Sequence, residues 1–326
     1  MSNFWKELKK PIFALAPLAD VTDPAFRKLI AKYGKPDVMW TEFVSADGLF
    51  MGGKDALIKD LAFSSGERPI VAQFFTNDPD HMRRAVALAS ELGFDGVDIN
   101  MGCPDRSIER QGAGAAHMKD PEHAIAIIEA AKEGAKEVAG EGEPIPISVK
   151  TRLGYNRDEL ETWLPKLLSV HPAVVTIHAR TRKEMSKVPA RWERITEAVR
   201  IRDEQESDTL IFGNGDILSL KEAEEKVKET GCDGIMIGKG IFGNPWFFNR
   251  KVTKEDLDTA TILRTMVEHT KLFEEMLPHK NFAIMKKHYK AYANGFDGAK
   301  ELRMKLMDAN DAAKVEQITE TFIRTL

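Results

Sequence analysis

Eight short apolar runs, separated by longer amphipathic stretches, constrain this chain more than any other feature it has. They lie at residues 12–16, 38–41, 70–74, 96–100, 145–150, 174–178, 210–213 and 234–237. Runs this short and this continuously apolar fit strands buried on both faces, as in a parallel sheet. Between them, 24–33, 81–92, 121–138 and 220–229 read as helices. Asp23 and Asp120 each stand directly before a proline, a capping residue followed by one whose fixed φ suits the first helical turn. Gly231 ends the last of the four. Eight strands alternating with helices over about 240 residues meet the requirement of a (β/α)8 TIM barrel, an α/β fold. A doubly wound sheet can be drawn from the same units, but about five or six strands are more usual there.

Beyond Phe248 the periodicity changes: 255–278, 282–294, 299–307 and 312–325 read as helices with no strand between them. The expectation is a barrel over residues 1–250 and a C-terminal all-α helical domain over 251–326, with Thr253 or Asp256 capping the first helix. Hydrophobic residues at 43% and charged residues at 30% exclude a disordered chain, and no apolar run approaches the ~18 residues of a membrane span. The start, MSNFWKELKK, has no apolar leader, which predicts a cytoplasmic protein with no membrane partner.

In such a barrel the chemistry sits at the carboxyl-terminal strand ends. Those ends carry Ala16, Pro17 and Leu18, then Glu42, Gln73, Asn100, Cys103, Lys150, Arg152, His178, Arg180, Asn214, Gly215, Asp216, Gly238 and Lys239. The last two loops, GNGDI and IGKGIFGNP, are glycine-rich, where TIM barrels commonly hold phosphate with backbone N–H groups. A phosphorylated cofactor follows. Lys150 would set a cation beside an electron-rich ring and Gln73 would hydrogen-bond its edge. Flavin mononucleotide, with one terminal phosphate, fits better than a dinucleotide, since no GxGxxG turn follows the first strand.

Cys103, in DINMGCP just past the fourth strand, is placed as a catalytic residue rather than as buried filler. Cys232, in a turn ahead of the last strand, reads as structural. Two cysteines and scattered histidines build no closed metal site, so no metal is expected. The net charge of −4 gives no global attraction for a polyanion, but two local runs do. Between 180 and 194 six basic residues face two acidic ones; between 280 and 305 seven face two.

These motifs give the chain a resemblance to a known family, the tRNA-dihydrouridine synthases. VDINMGCPDRSIERQGAGAA resembles that family's signature around its catalytic cysteine, and APLADVTDPAFR, SVKTRLGY, TIHARTR, FGNGDI and IGKGIFGNPWFF occur in the family's order. The tail KKHYKAYANGFDGAKELRMKL is similar to its helical domain, so the resemblance spans nearly the whole chain. It implies an FMN-containing barrel with a helical tRNA-recognition domain, and NADPH (or NADH) as reductant. It implies that Pro17, Leu18 and Ala19 lie along the flavin with Gln73, Lys150 and His178. Asn214, Gly215, Asp216, Gly238 and Lys239 then hold the phosphate end, and Asn100 and Arg180 contact the uracil. Leu18 stands where the family usually has Met, and Lys239 where it usually has Arg, which exchanges a bidentate fork for a point charge. The stretch 184–189 lacks the aromatic and glycine residues usual there.

The activity so implied is reduction of specific tRNA uridines to 5,6-dihydrouridine. Hydride passes from reduced flavin N5 to uracil C6, and Cys103 protonates C5. A thiol with an ordinary pKa of about 8.5 is mostly protonated at neutral pH, as a proton donor must be. Two alternatives remain at this level: an FMN barrel reducing a small pyrimidine, and a non-catalytic RNA-binding scaffold.

Overall fold

The computed structural model describes residues 3–326 and contains one eight-stranded sheet, all parallel, in the order β1-β8-β7-β6-β5-β4-β3-β2. The strands are β1 (Ile12–Leu15), β2 (Met39–Ser45), β3 (Ile70–Phe75), β4 (Gly96–Asn100), β5 (Ile147–Arg152), β6 (Val174–His178), β7 (Leu210–Asn214) and β8 (Gly234–Ile237). The two ends of that order meet at a seam. There Ala14 bridges Val38, the Leu15 N–H donates to the Val38 carbonyl at 3.0 Å, and the Asp37 N–H donates to the Phe13 carbonyl at 2.9 Å. The sheet therefore closes into the predicted (β/α)8 barrel. Its outer layer is α1 (Pro24–Tyr33), α2 (Pro79–Glu91), α3 (Pro121–Ala139), α4 (Leu160–Leu168), α5 (Glu193–Glu204) and α6 (Leu220–Thr230). The strands are largely apolar on both faces because one face meets these helices and the other the barrel interior, where Trp40, Val71 and Phe212 pack together.

Among the boundaries that differ from the sequence reading, three in the barrel have a clear local reason. β2 runs on through Glu42 to Ser45, past a register irregularity between Trp40 and Phe43. β5 starts at Ile147 because Pro146 has no N–H to give the ladder. α2 starts at Pro79, where the Asp78 carboxylate accepts the Asp80 and His81 N–H groups, the same aspartate-proline signal that opens α1 and α3.

After β8 the chain forms α7 (Thr259–Met276), α8 (Met285–Tyr292), α9 (Ala299–Met307) and α10 (Ala312–Ile323) around a core of their own that includes Leu263, Phe273, Tyr289 and Leu306. α7 begins later than expected because Thr253 and Asp256 cap each other around a single tight turn first. No helix among the described residues is long and apolar enough to cross a membrane.

Two contacts seat these helices on the barrel. On α1, Phe26 stacks on His269 of α7 at 4.7 Å between ring centres, and His288 of α8 meets His269 edge-on at 4.6 Å. At the barrel mouth, Lys280 donates to Glu42 at 2.9 Å and pairs with Asp60 at 3.0 Å. Glu42 also accepts the Asp20 N–H at 2.5 Å, so one carboxylate joins the ends of β1 and β2 to the helices. Burial alone would lower the Lys280 pKa; the two carboxylates outweigh it and hold the ammonium charged.

His269 and His288 are fully buried and neutral, because burial lowers both pKa values, that of His288 to about 3. The unfolded chain binds protons at these rings from about pH 6.5 downward while the folded chain does not, so acid favours unfolding through them. Asp23, raised to about 7 by burial, and Asp98, raised to about 6 by burial, act in the opposite sense. The histidine effect is therefore isolated by substitution. Replacing His288 with Leu, which suits a ring whose nitrogens have no partner, is expected to shrink the fall in urea midpoint between about pH 7 and pH 5. An acid limb of unchanged slope in His288→Leu would contradict this account.

Candidate functional site

The eight carboxyl-terminal strand ends surround a cavity of about 320 Å³, at the small end of the range typical of ligand sites. Pro17, Leu18, Gln73, Asn100 and Cys103 line it from the first half of the barrel. Lys150, His178, Arg180, Asn214, Gly215, Asp216, Gly238 and Lys239 line it from the second. Of the residues that the resemblance assigns to cofactor, substrate or catalysis, Ala19 alone is not in the lining; it is exposed on the loop after β1, and the strand-end residue Glu42 is turned to Lys280 instead. Among the described residues no group of three or more His, Cys, Asp or Glu is arranged to hold a metal.

Lys150 is directed at this cavity from β5. Its ammonium donates to Asn214 Oδ1 at 3.2 Å, and Asn214 Nδ2 donates to the Met236 carbonyl at 2.7 Å, which fixes the amide's orientation. Burial and the nearby Arg152 charge lower the Lys150 pKa to about 8, leaving a cation with donors to spare. Across the cavity, Arg180 Nη1 donates to His178 Nε2 at 3.1 Å. A guanidinium cannot accept, so His178 Nε2 is the acceptor and the proton sits on Nδ1. Burial and three neighbouring cations keep that ring uncharged.

Arg180 is largely committed within the protein: Nη2 donates to Asp216 and Nε donates to the Val188 carbonyl at 2.6 Å. Asp216, at φ +56°, also accepts the Ala190 N–H at 2.9 Å, so its carboxylate pins the loop after β6. At the glycine-rich end, an added Cβ on Gly238 would meet Ala16 and Leu18 at ordinary contact distance, and a larger side chain would fill the cavity. Among the described residues no hydrogen bond to a protein acceptor is found for the backbone N–H groups of Asp216, Lys239 and Gly240. Free N–H groups beside the Lys239 ammonium form an anion cradle of the kind that receives a phosphate.

Cys103 stands at the rim, half-buried. Its N–H donates to Asn100 Oδ1 at 2.9 Å and its carbonyl accepts the Ala115 N–H at 3.0 Å. Burial raises the thiol's pKa, while the Arg152 and Lys150 charges pull the other way. The thiol is therefore protonated at neutral pH, with cations at hand for the thiolate that loss of its proton would create.

Similarity to known proteins decides the family. The sequence pattern that defines the dihydrouridine synthases (Dus) matches residues 14–326. A Bacillus subtilis (strain 168) protein named "probable tRNA-dihydrouridine synthase 2" is 40% identical over 329 residues, covering 99% of this chain and 97% of its own. A Staphylococcus epidermidis protein named "probable tRNA-dihydrouridine synthase" is 37% identical, covering 98% of this chain and 96% of its own. The chain belongs to the dihydrouridine synthase family. Among solved structures, histamine dehydrogenase from Rhizobium sp. 4-9 superposes with a TM-score of 0.50 at 13% identity, covering 80% of this dihydrouridine synthase and 48% of that chain. At that identity the likeness is one of fold alone.

Several residues of this family member were not assigned roles in the sequence reading. Arg152 lines the cavity and clamps three carbonyls: Gly102 at 2.7 Å, Met185 at 3.2 Å and Thr181 at 3.3 Å. Its strand-end position was visible, but its partners on two other loops were not. Phe43, Ser186 and Phe242 also line the cavity, Ser186 from the loop after β6. The basic runs are also less available than a linear count implies. Arg180, Arg182, Arg191 and Arg194 pair with Asp216, Glu109, Glu184 and Asp158, three of which lie outside the run. Lys183 and Lys187 remain without an ion pair among the described residues, as do Lys286, Lys290, Lys300 and Lys305 of the second run.

Gly114, at φ +61°, lets the loop fold over Cys103; a Cβ there would lie 2.9 Å from both the Cys103 carbonyl oxygen and Ile108 Cγ2. Replacing Gly114 with Ala is expected to destabilise the protein by at least about 1–2 kcal/mol. It should also speed alkylation of Cys103 by iodoacetamide as the loop loosens. Unchanged melting and alkylation would show that the loop does not need this conformation.

Proposed function

We propose that this dihydrouridine synthase reduces uridines in tRNA to 5,6-dihydrouridine, with FMN as its bound cofactor and NADPH as the reductant. The observation that carries the reading is the Cys103 thiol on the rim of the same cavity that gathers Lys150, Gln73, His178 and the Gly238–Lys239 anion cradle.

The residues fit FMN. Unpaired N–H groups at Asp216, Lys239 and Gly240 suit its phosphate, and the missing side chain of Gly238 leaves room for it. Lys150 and the Nδ1–H of His178 suit the electron-rich face and edge of a flavin ring. Reduced FMN held there would supply the hydride that C6 of the uracil takes up. Negative charge then gathers toward C5 and O4 of the base, and Cys103 Sγ–H donates its proton to C5. Burial keeps that proton on sulfur beforehand, and Arg152 and Lys150 stabilise the thiolate afterward. A base in a folded tRNA must leave its stack to reach this mouth, which favours an apolar, closed rim; Phe43, Leu18 and Phe242 provide one. Lys183, Lys187, Lys286 and Lys290, free of ion pairs, supply attraction for phosphates that four of the arginines do not.

Absorption by the purified protein near ~450 nm, bleached by NADPH without oxygen and restored by unmodified tRNA, is the expected result. Recovery only with a free pyrimidine would move the reading to a small-molecule reductase, and failure to bind FMN would overturn it. Cys103→Ala should keep the flavin band and lose about 100-fold or more in dihydrouridine formation. Undiminished turnover in that variant would remove the thiol from the mechanism.

A further inference from the structure

Asp98 is wholly buried in the barrel, touches neither the rim nor solvent, and has no part in the chemistry above. Its partners are set by strand register: Gln73 of β3 pairs with Asp98 of β4, and Asp98 with Ser148 of β5. Its carboxylate accepts the Ser148 hydroxyl at 2.6 Å and Gln73 Nε2 at 2.5 Å. Gln73 Oε1 then accepts Asn100 Nδ2 at 3.1 Å. Asn100 Oδ1 in turn accepts the backbone N–H groups of Gly102 at 3.2 Å and Cys103 at 2.9 Å.

Primary amides look alike from either side, so which end faces which neighbour is decided only by the network. Here both ends of the network are fixed. A carboxylate can only accept, so Gln73 must turn its nitrogen to Asp98 and its oxygen to Asn100. The N–H groups of Gly102 and Cys103 can only donate, so Asn100 must turn its oxygen to them and its nitrogen to Gln73. The two requirements agree, and reversing either amide breaks hydrogen bonds on both of its sides.

We propose that Asp98 is a positioning residue: through Gln73 and Asn100 it sets the conformation of the 101–104 loop and so the place of the Cys103 thiol. The inference rests on the reading of Cys103 as the proton donor, but its geometric core concerns this loop alone. Without the acceptor at position 98, Gln73 is free to turn over. Asn100 then follows, and its nitrogen confronts the Gly102 and Cys103 donors, which pushes the loop away.

The test compares Asp98→Leu with Asp98→Asn in the full-length, FMN-loaded protein, after circular dichroism has established that both fold. Asn keeps one acceptor for Gln73 and can donate to the Ser148 oxygen, whose own hydrogen has a second acceptor in the Val97 carbonyl at 3.3 Å. It therefore preserves the direction of the chain. Asp98→Leu is expected to lower kcat by about 100-fold with little change in the KM for tRNA, since displacement of a catalytic group by about 1 Å has that effect. It should also raise the rate at which iodoacetamide alkylates Cys103 by about tenfold, as thiol access opens. Asp98→Asn should recover most of both.

Equal losses in the two variants, or a loss confined to KM, would overturn the proposal. So would an alkylation rate that stays at the wild-type value in Asp98→Leu. Should the wild-type protein fail to reduce uridine in tRNA, the proposed activity falls, and the alkylation comparison still decides the role of Asp98 in holding the loop.

Discussion

A carboxylate removed from water must be met by cations or by several donors, and three such carboxylates hold the working end of this barrel together. Glu42, Glu67 and Asp98 are all buried. Glu67 receives Arg27 at 2.7 Å and the Ser64 backbone and hydroxyl, and Arg27 spends its remaining donors on the Thr22 and Ala62 carbonyls. That set fixes the loop leading into α1. Glu42 binds the loop after β1 to the helical region, and Asp98 orders the amides beneath Cys103. None of the three faces substrate. Each makes one conformation of a mouth loop far cheaper than its alternatives.

The barrel itself was legible because its strands are buried on both faces, so that eight apolar runs stand out against amphipathic helices without any knowledge of pairing. Where the reading slipped, burial depended on a distant partner. β2 seemed to stop at Thr41 because the next residue is charged, yet Glu42 belongs inside once Lys280, far along the chain, is beside it. The strand-end rule located the cavity lining by counting alone, which is why Gln73, Lys150, His178 and Cys103 could be named together. Spacing could not give the direction of side chains around a turn. Ala19 follows Leu18 in sequence but faces solvent, and Asp216 meets Arg180 instead of standing free.

Charge was the least legible property. Counting cations along the chain assumes that their partners are near in sequence, and in a closed barrel adjacent loops come from residues many tens of positions apart. Arg182 is neutralised by Glu109 and Arg194 by Asp158, pairs made by neighbouring loops and helices of the barrel. The surplus that survives is carried mainly by lysines, which hold no fixed fork and suit a mobile phosphate backbone better than a single oriented group.

The seam between β1 and β2 has a further meaning. Every other pair of neighbouring strands shares a ladder of several residues, but here one bridge and two backbone hydrogen bonds complete the ring. Directly above that thin joint, Glu42 grips the Asp20 N–H from one side while Lys280 grips Glu42 from the other. The C-terminal helices are in this sense a hoop around staves, tightened where the staves fit least well. Cutting them away would slacken the cask as well as remove whatever they recognise, so the barrel on its own is not the barrel found here.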